Sequence, residues 1–178
     1  MPPITRQAVL DAAMVIVEAD GVAGLSMRRL AAKLDVAPTA IYWHVGSKDD
    51  VLDALVEQMG DQVGRVHTRG RTPEQRIVST AKSLLASIES HRTLVGLAHQ
   101  RGRLDVVLRP AEEAIMAAFG EAGLRGVRRG DAAHAVIQVV VSYSVTELYA
   151  ARSPVEPLWD SERTFDVALR AVVRGLLP

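Results

Sequence analysis

The chain has 178 residues, of which 48% are apolar, and it carries no cysteine and no formal net charge at neutral pH. This length and apolar fraction suit one or two small domains with a buried core. The lack of cysteine excludes disulfide bonds and thiolate metal ligands and fits a reducing compartment. Zero net charge excludes the strongly basic surface of proteins that coat nucleic acids without specificity.

No segment of the sequence is typical of a membrane protein or a secreted protein. The most apolar stretch, residues 136–141, contains Gln138 and is far shorter than a bilayer span. The first residues lack the basic and then apolar pattern of a signal peptide. We therefore expect a soluble, cytoplasmic protein without a membrane partner.

The spacing of apolar residues is helical throughout, and glycines and prolines separate the helical stretches. In the first part of the chain, Thr5, Ser26 and Ser47 are typical helix N-caps, Gly21 a helix end, and Pro38 a first helical residue. These signals predict helices at about residues 6–20, 27–34, 38–44 and 48–67. Later signals predict helices at about residues 73–90, 92–101, 104–122, 131–152 and 160–177.

The predicted fold is therefore all-α, with about nine helices. An N-terminal three-helix helix-turn-helix head, residues 1–47, precedes a helical body, residues 48–178. The helix at 48–67 connects the two.

The second and third helices form the helix-turn-helix. Their apolar residues are spaced to pack on each other and on the first helix: Leu25, Leu30, Ala31, Leu34, Val36, Ile41 and Val45. This packing turns Thr39, Ala40, Trp43 and His44 outward. Exposed aromatic residues are costly unless a partner covers them. Tyr42 and Trp43 therefore either contact a partner such as DNA or pack in the core or between domains.

The same segment resembles the head of the TetR family of transcriptional repressors, over residues 5–59 and most closely in its tetracycline-repressor branch. The residues that carry the resemblance are Leu30-Ala31, Leu34-Asp35-Val36, Ile41-Tyr42-Trp43-His44-Val45 and Lys48. The chain departs from the family pattern at two positions. Asp35 stands where glycine is common, and Ala37 stands where a serine or threonine cap is common.

The resemblance implies a role in DNA binding for specific residues. Tyr42, His44 and Lys48 would contact phosphates, and Arg28 would contact guanine through its planar fork. The other positions would touch thymine methyl groups, the groove wall or a phosphate. The full set is Ser26, Met27, Arg28, Pro38, Thr39, Ala40, Tyr42, Trp43, His44 and Lys48.

The last two long helices carry more apolar surface than a small body buries alone, which predicts a two-fold four-helix interface between two copies. In a homodimer, two heads would reach successive major grooves of a palindromic operator. The predicted interface residues are Val136, Val140, Tyr143, Leu148, Phe165, Leu169, Val172 and Leu176.

The resemblance also implies that the body binds a small-molecule effector. Polar residues that interrupt apolar helix faces are candidate ligands, although each is also typical of a solvent-facing residue. They are His67, Lys82, His91, His99, Arg103, His134, Gln138, Ser142 and Tyr143. We expect an apolar or aromatic effector with one or two polar groups, and not magnesium–tetracycline, because the body hardly resembles that branch.

The sequence thus predicts a homodimeric repressor, without a cofactor or metal, that an unknown small molecule releases from double-stranded DNA. Two alternatives remain. One is a dimeric DNA-binding regulator without an effector, and the other is a helical enzyme or lipid-binding protein with a vestigial head. No nucleophile elbow, glycine-rich phosphate loop or closely spaced histidine pair favours an enzyme or a metal site.

Overall fold

The structure is a computed structural model that describes residues 4–63, 66–150 and 160–178. Within these ranges the chain forms helices and no strand, which confirms the all-α prediction. None of the helices described is both long and apolar enough to cross a membrane. The helices are α1 (Arg6–Gly24), α2 (Met27–Leu34), α3 (Pro38–Val45), α4 (Lys48–Val63), α5 (Pro73–Ser90), α6 (Arg92–Gln100), α7 (Leu104–Glu121), α8 (Gly126–Ala150) and α9 (Ser161–Leu176).

Local capping chemistry explains where the first helix begins, but its end differs from the prediction. The hydroxyl of Thr5 accepts a hydrogen bond from the amide of Ala8 at 3.1 Å, as expected for an N-cap. Gly21 has φ 72° and ψ 178°, so it breaks the helical geometry at the predicted place. The chain then resumes a helical turn up to Gly24, and the predicted end at Gly21 is a kink inside α1.

Two other helix boundaries were wrong. The fourth helix was predicted to extend to residue 67, but α4 ends at Val63. The amides of His67 and Arg69 instead donate to the hydroxyls of Ser83 and Ser79 on α5, at 2.9 and 2.7 Å. The eighth helix begins at Gly126, well before the predicted start at residue 131, because Gly130 is accommodated inside it.

The chain divides into two compact units. The first unit contains α1–α4 together with α6, and the second contains α5, most of α7, α8 and α9. By packing, α4 and α6 thus belong with the first three helices. The predicted functional division after residue 47 remains a prediction.

Each unit has its own apolar core. In the first unit, α1, α2 and α3 pack on one another around side chains such as Leu30, Ile41 and Leu55, which have no exposed surface. In the second unit, α5, α8 and α9 pack together, and Phe119 and Ile137 are buried completely. These cores give each unit a rigid framework for the polar residues on its surface.

The core of the second unit corrects half of the predicted dimer interface. Val136, Val140, Phe165 and Leu169 are buried within their own chain, because α8 and α9 direct them against each other and against α5. A second copy cannot reach them, so their assignment to the interface was wrong. The other predicted positions, Tyr143, Val172 and Leu176, are half-buried, and the side chain of Leu148 lies outside the described residues.

Candidate nucleic-acid interface

The turn between α2 and α3 is closed by a residue in the left-handed conformation. The hydroxyl of Ser26 caps α2 by accepting from the amide of Arg29 at 3.2 Å. Asp35 lies in the left-handed region with φ 53° and ψ 47°. The amide of the next residue, Val36, donates to the carbonyl oxygen of Ala31 at 3.0 Å and closes the turn. Aspartate thus occupies a position for which glycine is the usual residue.

Helix α3 presents one buried and one open face. Ile41 and Val45 pack into the core of the first unit, whereas Tyr42 is 52% exposed and Trp43 is 89% exposed. The N-cap residue Ala37 makes no side-chain hydrogen bond, because alanine lacks the hydroxyl of the serine or threonine that is common at this position. Neither aromatic residue is a core residue, so the interpretation that they pack in the core is excluded.

The other predicted DNA contacts lie at the surface, with one exception. Ser26, Arg28, Pro38 and Thr39 are exposed, and Ala40, His44 and Lys48 are half-buried. The exception is Met27, whose side chain is only 8% exposed because it joins the apolar core. The Met27 side chain is therefore not available to a partner, and the position of Met27 near a phosphate stays a prediction.

The N-terminus of α4 is built by reciprocal hydrogen bonds between Ser47 and Asp50. The Asp50 carboxylate accepts from both the amide and the hydroxyl of Ser47 at 2.7 Å, and the Asp50 amide donates to that hydroxyl at 3.2 Å. These hydrogen bonds, the side-chain one first, lower the pKa of Asp50. Helix N-termini favour anions such as phosphate, through free amides and the helix dipole.

Two cations hold the end of α1 next to this surface. The ammonium group of Lys48 donates to the carbonyl of Val22 at 3.3 Å. Arg29 pairs with Asp20 and also donates to the carbonyl of Gly24 at 3.3 Å. An ammonium group has three donors, so Lys48 retains donors for a second partner. The sequence did not reveal the role of Arg29.

The predicted effector ligands are distributed over both units. His91, His99 and Arg103 belong to the first unit, where Arg103 pairs with Glu57 at 3.3 Å. The other six belong to the second unit. Among these, His134 is exposed and lies 3.1 Å from Gln138, which is one turn further along α8.

In the part of the second unit that the structure describes, two grooves are lined by four of the candidates. A groove of about 480 Å³ lies between α5 and α9 and includes Lys82. A groove of about 370 Å³ lies between α8 and α9 and includes Gln138, Ser142 and Tyr143. Burial raises the pKa of Tyr143, and nearby carboxylates, led by Glu147, raise it further.

Comparisons with known proteins agree with the geometry of the helix-turn-helix. The family described as "Bacterial regulatory proteins, tetR family" matches residues 9–55. An HTH-type transcriptional regulator of Saccharopolyspora erythraea is 31% identical over 122 residues, which are 68% of this chain and 52% of that protein. The class D tetracycline repressor of Escherichia coli is 39% identical over 59 residues, 33% of this chain and 27% of the repressor.

A solved structure extends the similarity to the whole chain. The crystal structure of Mycobacterium smegmatis BioQ is 30% identical, with a TM-score of 0.70 over 97% of this chain and 98% of BioQ. BioQ with its double-stranded DNA operator superposes with a TM-score of 0.69 at 29% identity, over 98% of each chain.

The helix-turn-helix and the helical body that follows it define an all-α helix-turn-helix protein, and the chain belongs to the TetR family of bacterial regulatory proteins. The relatives named above are described as transcriptional regulators or repressors, not as enzymes. The chain spans about half the length of the first curated relative that it matches.

Proposed function

We propose that this protein is a transcriptional repressor that binds double-stranded DNA through α3 and the adjoining ends of α2 and α4. The observation that carries the proposal is the exposure of Trp43 on the two-turn helix α3. The opposite face of this helix packs in the core through Ile41 and Val45. An indole so exposed is unfavourable in a free monomer and suits a helix that enters a groove. The structure of BioQ with its operator adds support from a relative of the same length.

Roles for the individual residues follow from their position and chemistry. Arg28 is exposed and offers the planar fork that matches the two acceptors of guanine. Thr39 and Trp43 supply apolar contacts, while Tyr42 and His44 donate to phosphates. Lys48 and the amides of α4 hold a further phosphate.

Selection of bound duplexes from a random DNA pool tests this function. We expect the selected DNA to contain a palindrome of two short half-sites. Arg28→Ala or Trp43→Ala should then weaken binding to the selected site by about 1–3 kcal/mol. Arg128→Ala, an exposed arginine on α8, is the matched control and should bind as the unchanged chain does. Failure of the folded protein to enrich any duplex would contradict the proposal.

The repressor acts as a homodimer in this proposal, through the outer faces of α8 and α9. The buried residues of α9 cannot form this contact, but its exposed side carries a stripe of small residues. These are Thr164, Ala168, Ala171 and Gly175. Val167 beside it is 62% exposed. Small residues let two helices approach closely, so this stripe suits packing against a second copy.

We further propose that a small molecule in the body releases the DNA, by binding more tightly to a conformation with lower DNA affinity. The groove between α5 and α9 supports this, because Leu85 and Phe165 line it beside the charged Lys82 and Asp166. Displacement of the selected duplex by a panel of aromatic acids and amines tests the idea. If no compound changes DNA affinity, the regulator without an effector is the better description.

A further inference from the structure

Helix α4 carries a line of acidic residues that starts beside its DNA-facing end. Asp49, Asp53 and Glu57 are spaced by four residues and therefore share one face of the helix. The side chain of Asp49, next to Lys48 in the first turn, is 82% exposed. Negative charge at this place repels the phosphates that the N-terminus of α4 is proposed to bind.

Arginines at the end of α6, in the same compact unit, pair with this acidic line. One nitrogen of the Arg101 guanidinium lies 2.6 Å from the Asp53 carboxylate, and another lies 2.5 Å from that of Asp49. Arg103 lies 3.3 Å from Glu57, further along the helix. The forked guanidinium of Arg101 thus bridges Asp49 and Asp53, the first two carboxylates of this acidic line.

The backbone holds both arginines in place. The amide of Gly102 donates to the carbonyl of His99, and the amide of Arg103 donates to that of Ala98, at 3.0 and 2.8 Å. These are the two hydrogen bonds of a Schellman motif, and Gly102 has the positive φ, 65°, that the motif requires. The position of Arg101 is therefore set by the way α6 ends.

We propose that Arg101 neutralises Asp49 and Asp53 and so allows the N-terminus of α4 to bind a DNA phosphate. Arg101 acts through the two carboxylates and is not itself a DNA contact. The inference rests on the proposed DNA-binding function. It assigns a role to a residue that no sequence pattern singled out.

The test measures the affinity of the full chain for its selected duplex at low salt. Arg101→Ala should raise the Kd about three- to tenfold, and the effect should shrink as salt rises, because salt screens the exposed carboxylates. Arg101→Lys keeps the charge and should retain most of the affinity. Arg103→Ala is the matched control. It should have a smaller effect, because its partner Glu57 lies more than two turns from the N-terminus of α4.

Removing the carboxylates separates charge neutralisation from a structural role. In the Arg101→Ala chain, Asp49→Asn with Asp53→Asn should restore DNA affinity, because the repulsion is gone. If affinity is not restored, Arg101 acts by fixing the orientation of α4, and the proposal is overturned. An unchanged Kd for Arg101→Ala would overturn it as well.

A second measurement does not depend on the stability of the arginine variant. Asp49→Asn in the otherwise unchanged chain should bind DNA more tightly, and weaker binding would contradict the inference. Binding of the unchanged chain to its selected duplex is measured first. If that binding is absent, the proposed function fails. If it is present, the variants test Arg101 alone.

Discussion

At the scale of single residues, the junction between α3 and α4 depends on one glycine. Gly46 has φ 75°, a conformation that L side chains rarely adopt. A Cβ atom at this position would lie 2.5 Å from the carboxylate oxygen of Asp50 that binds Ser47. The reciprocal hydrogen bonds between Ser47 and Asp50, the capping box of α4, therefore leave no room for a side chain at position 46.

Gly46→Ala should destabilise the protein by about 1–3 kcal/mol, through the strained φ and the clash with Asp50. Urea unfolding followed by circular dichroism measures this change. Gly96→Ala is the matched control, because Gly96 is helical and its Cβ would meet no atom within 4 Å. The control should be stabilising by about 0.5–1 kcal/mol. Equal effects of both substitutions would contradict the argument.

At the scale of helices, α9 is attached to α5 by ion pairs as well as by apolar packing. Asp166 on α9 pairs with Lys82 on α5 and, at 2.8 Å, with Arg170 one turn along α9. Arg174 on α9 lies 2.8 Å from Glu74 on α5. The hydrogen bonds from Arg170 and then Lys82 lower the pKa of Asp166 from 3.8 to about 2.

This lowered pKa predicts the direction of a pH effect. A carboxyl group with a lower pKa in the folded state contributes stability above its unfolded pKa and loses it as the pH falls. The contribution of Asp166 should be present above about pH 4 and disappear towards pH 2. Asp166→Asn should therefore destabilise the protein at pH 7 and reduce the loss of stability between pH 4 and 2.

Thermal unfolding at several pH values measures the effect, with Asp131→Asn as the control on the exposed surface of α8. If Asp166→Asn and the unchanged chain lose stability equally over that pH range, the ion pairs of Asp166 do not stabilise the attachment of α9.

At the scale of the whole molecule, the proposed function requires two copies of the chain. The choice of α8 and α9 as the interface helices stays a prediction, and four of the residues chosen on them were wrong because they are buried in their own chain. A helix pair can bury one face in its own unit and still offer the opposite face to a second copy. For α9, that opposite face is the stripe of small residues beside Val167.

Val167→Glu should convert a dimer into monomers without unfolding the chain, because the new carboxylate would be buried at the contact without a partner. Sedimentation equilibrium measures the association, and circular dichroism checks the fold. Val15→Glu places the same change on an exposed valine of α1 and should leave the association unchanged. A dimer that persists in the Val167 variant would exclude this face of α9 as the interface.

The helix-turn-helix and most helix boundaries could be predicted from the sequence by itself, because caps, turns and breaks depend on neighbouring residues. Ser26, Asp35 and Pro38 each act within one turn of chain, and the exposed side of α3 follows from the positions of Ile41 and Val45.

Only the tertiary structure decided which apolar faces are buried and which charges meet. Arg101 pairs with carboxylates 48 and 52 residues away, and no local pattern specifies such a pair. Helix α8 is apolar on nearly all of its faces between Ala132 and Val141, so periodicity could not show that Val136 lies in the core of its own chain and not at a contact with a second copy. Those choices depend on the packing of α5, α8 and α9 together, because burial is a property of the assembled helices.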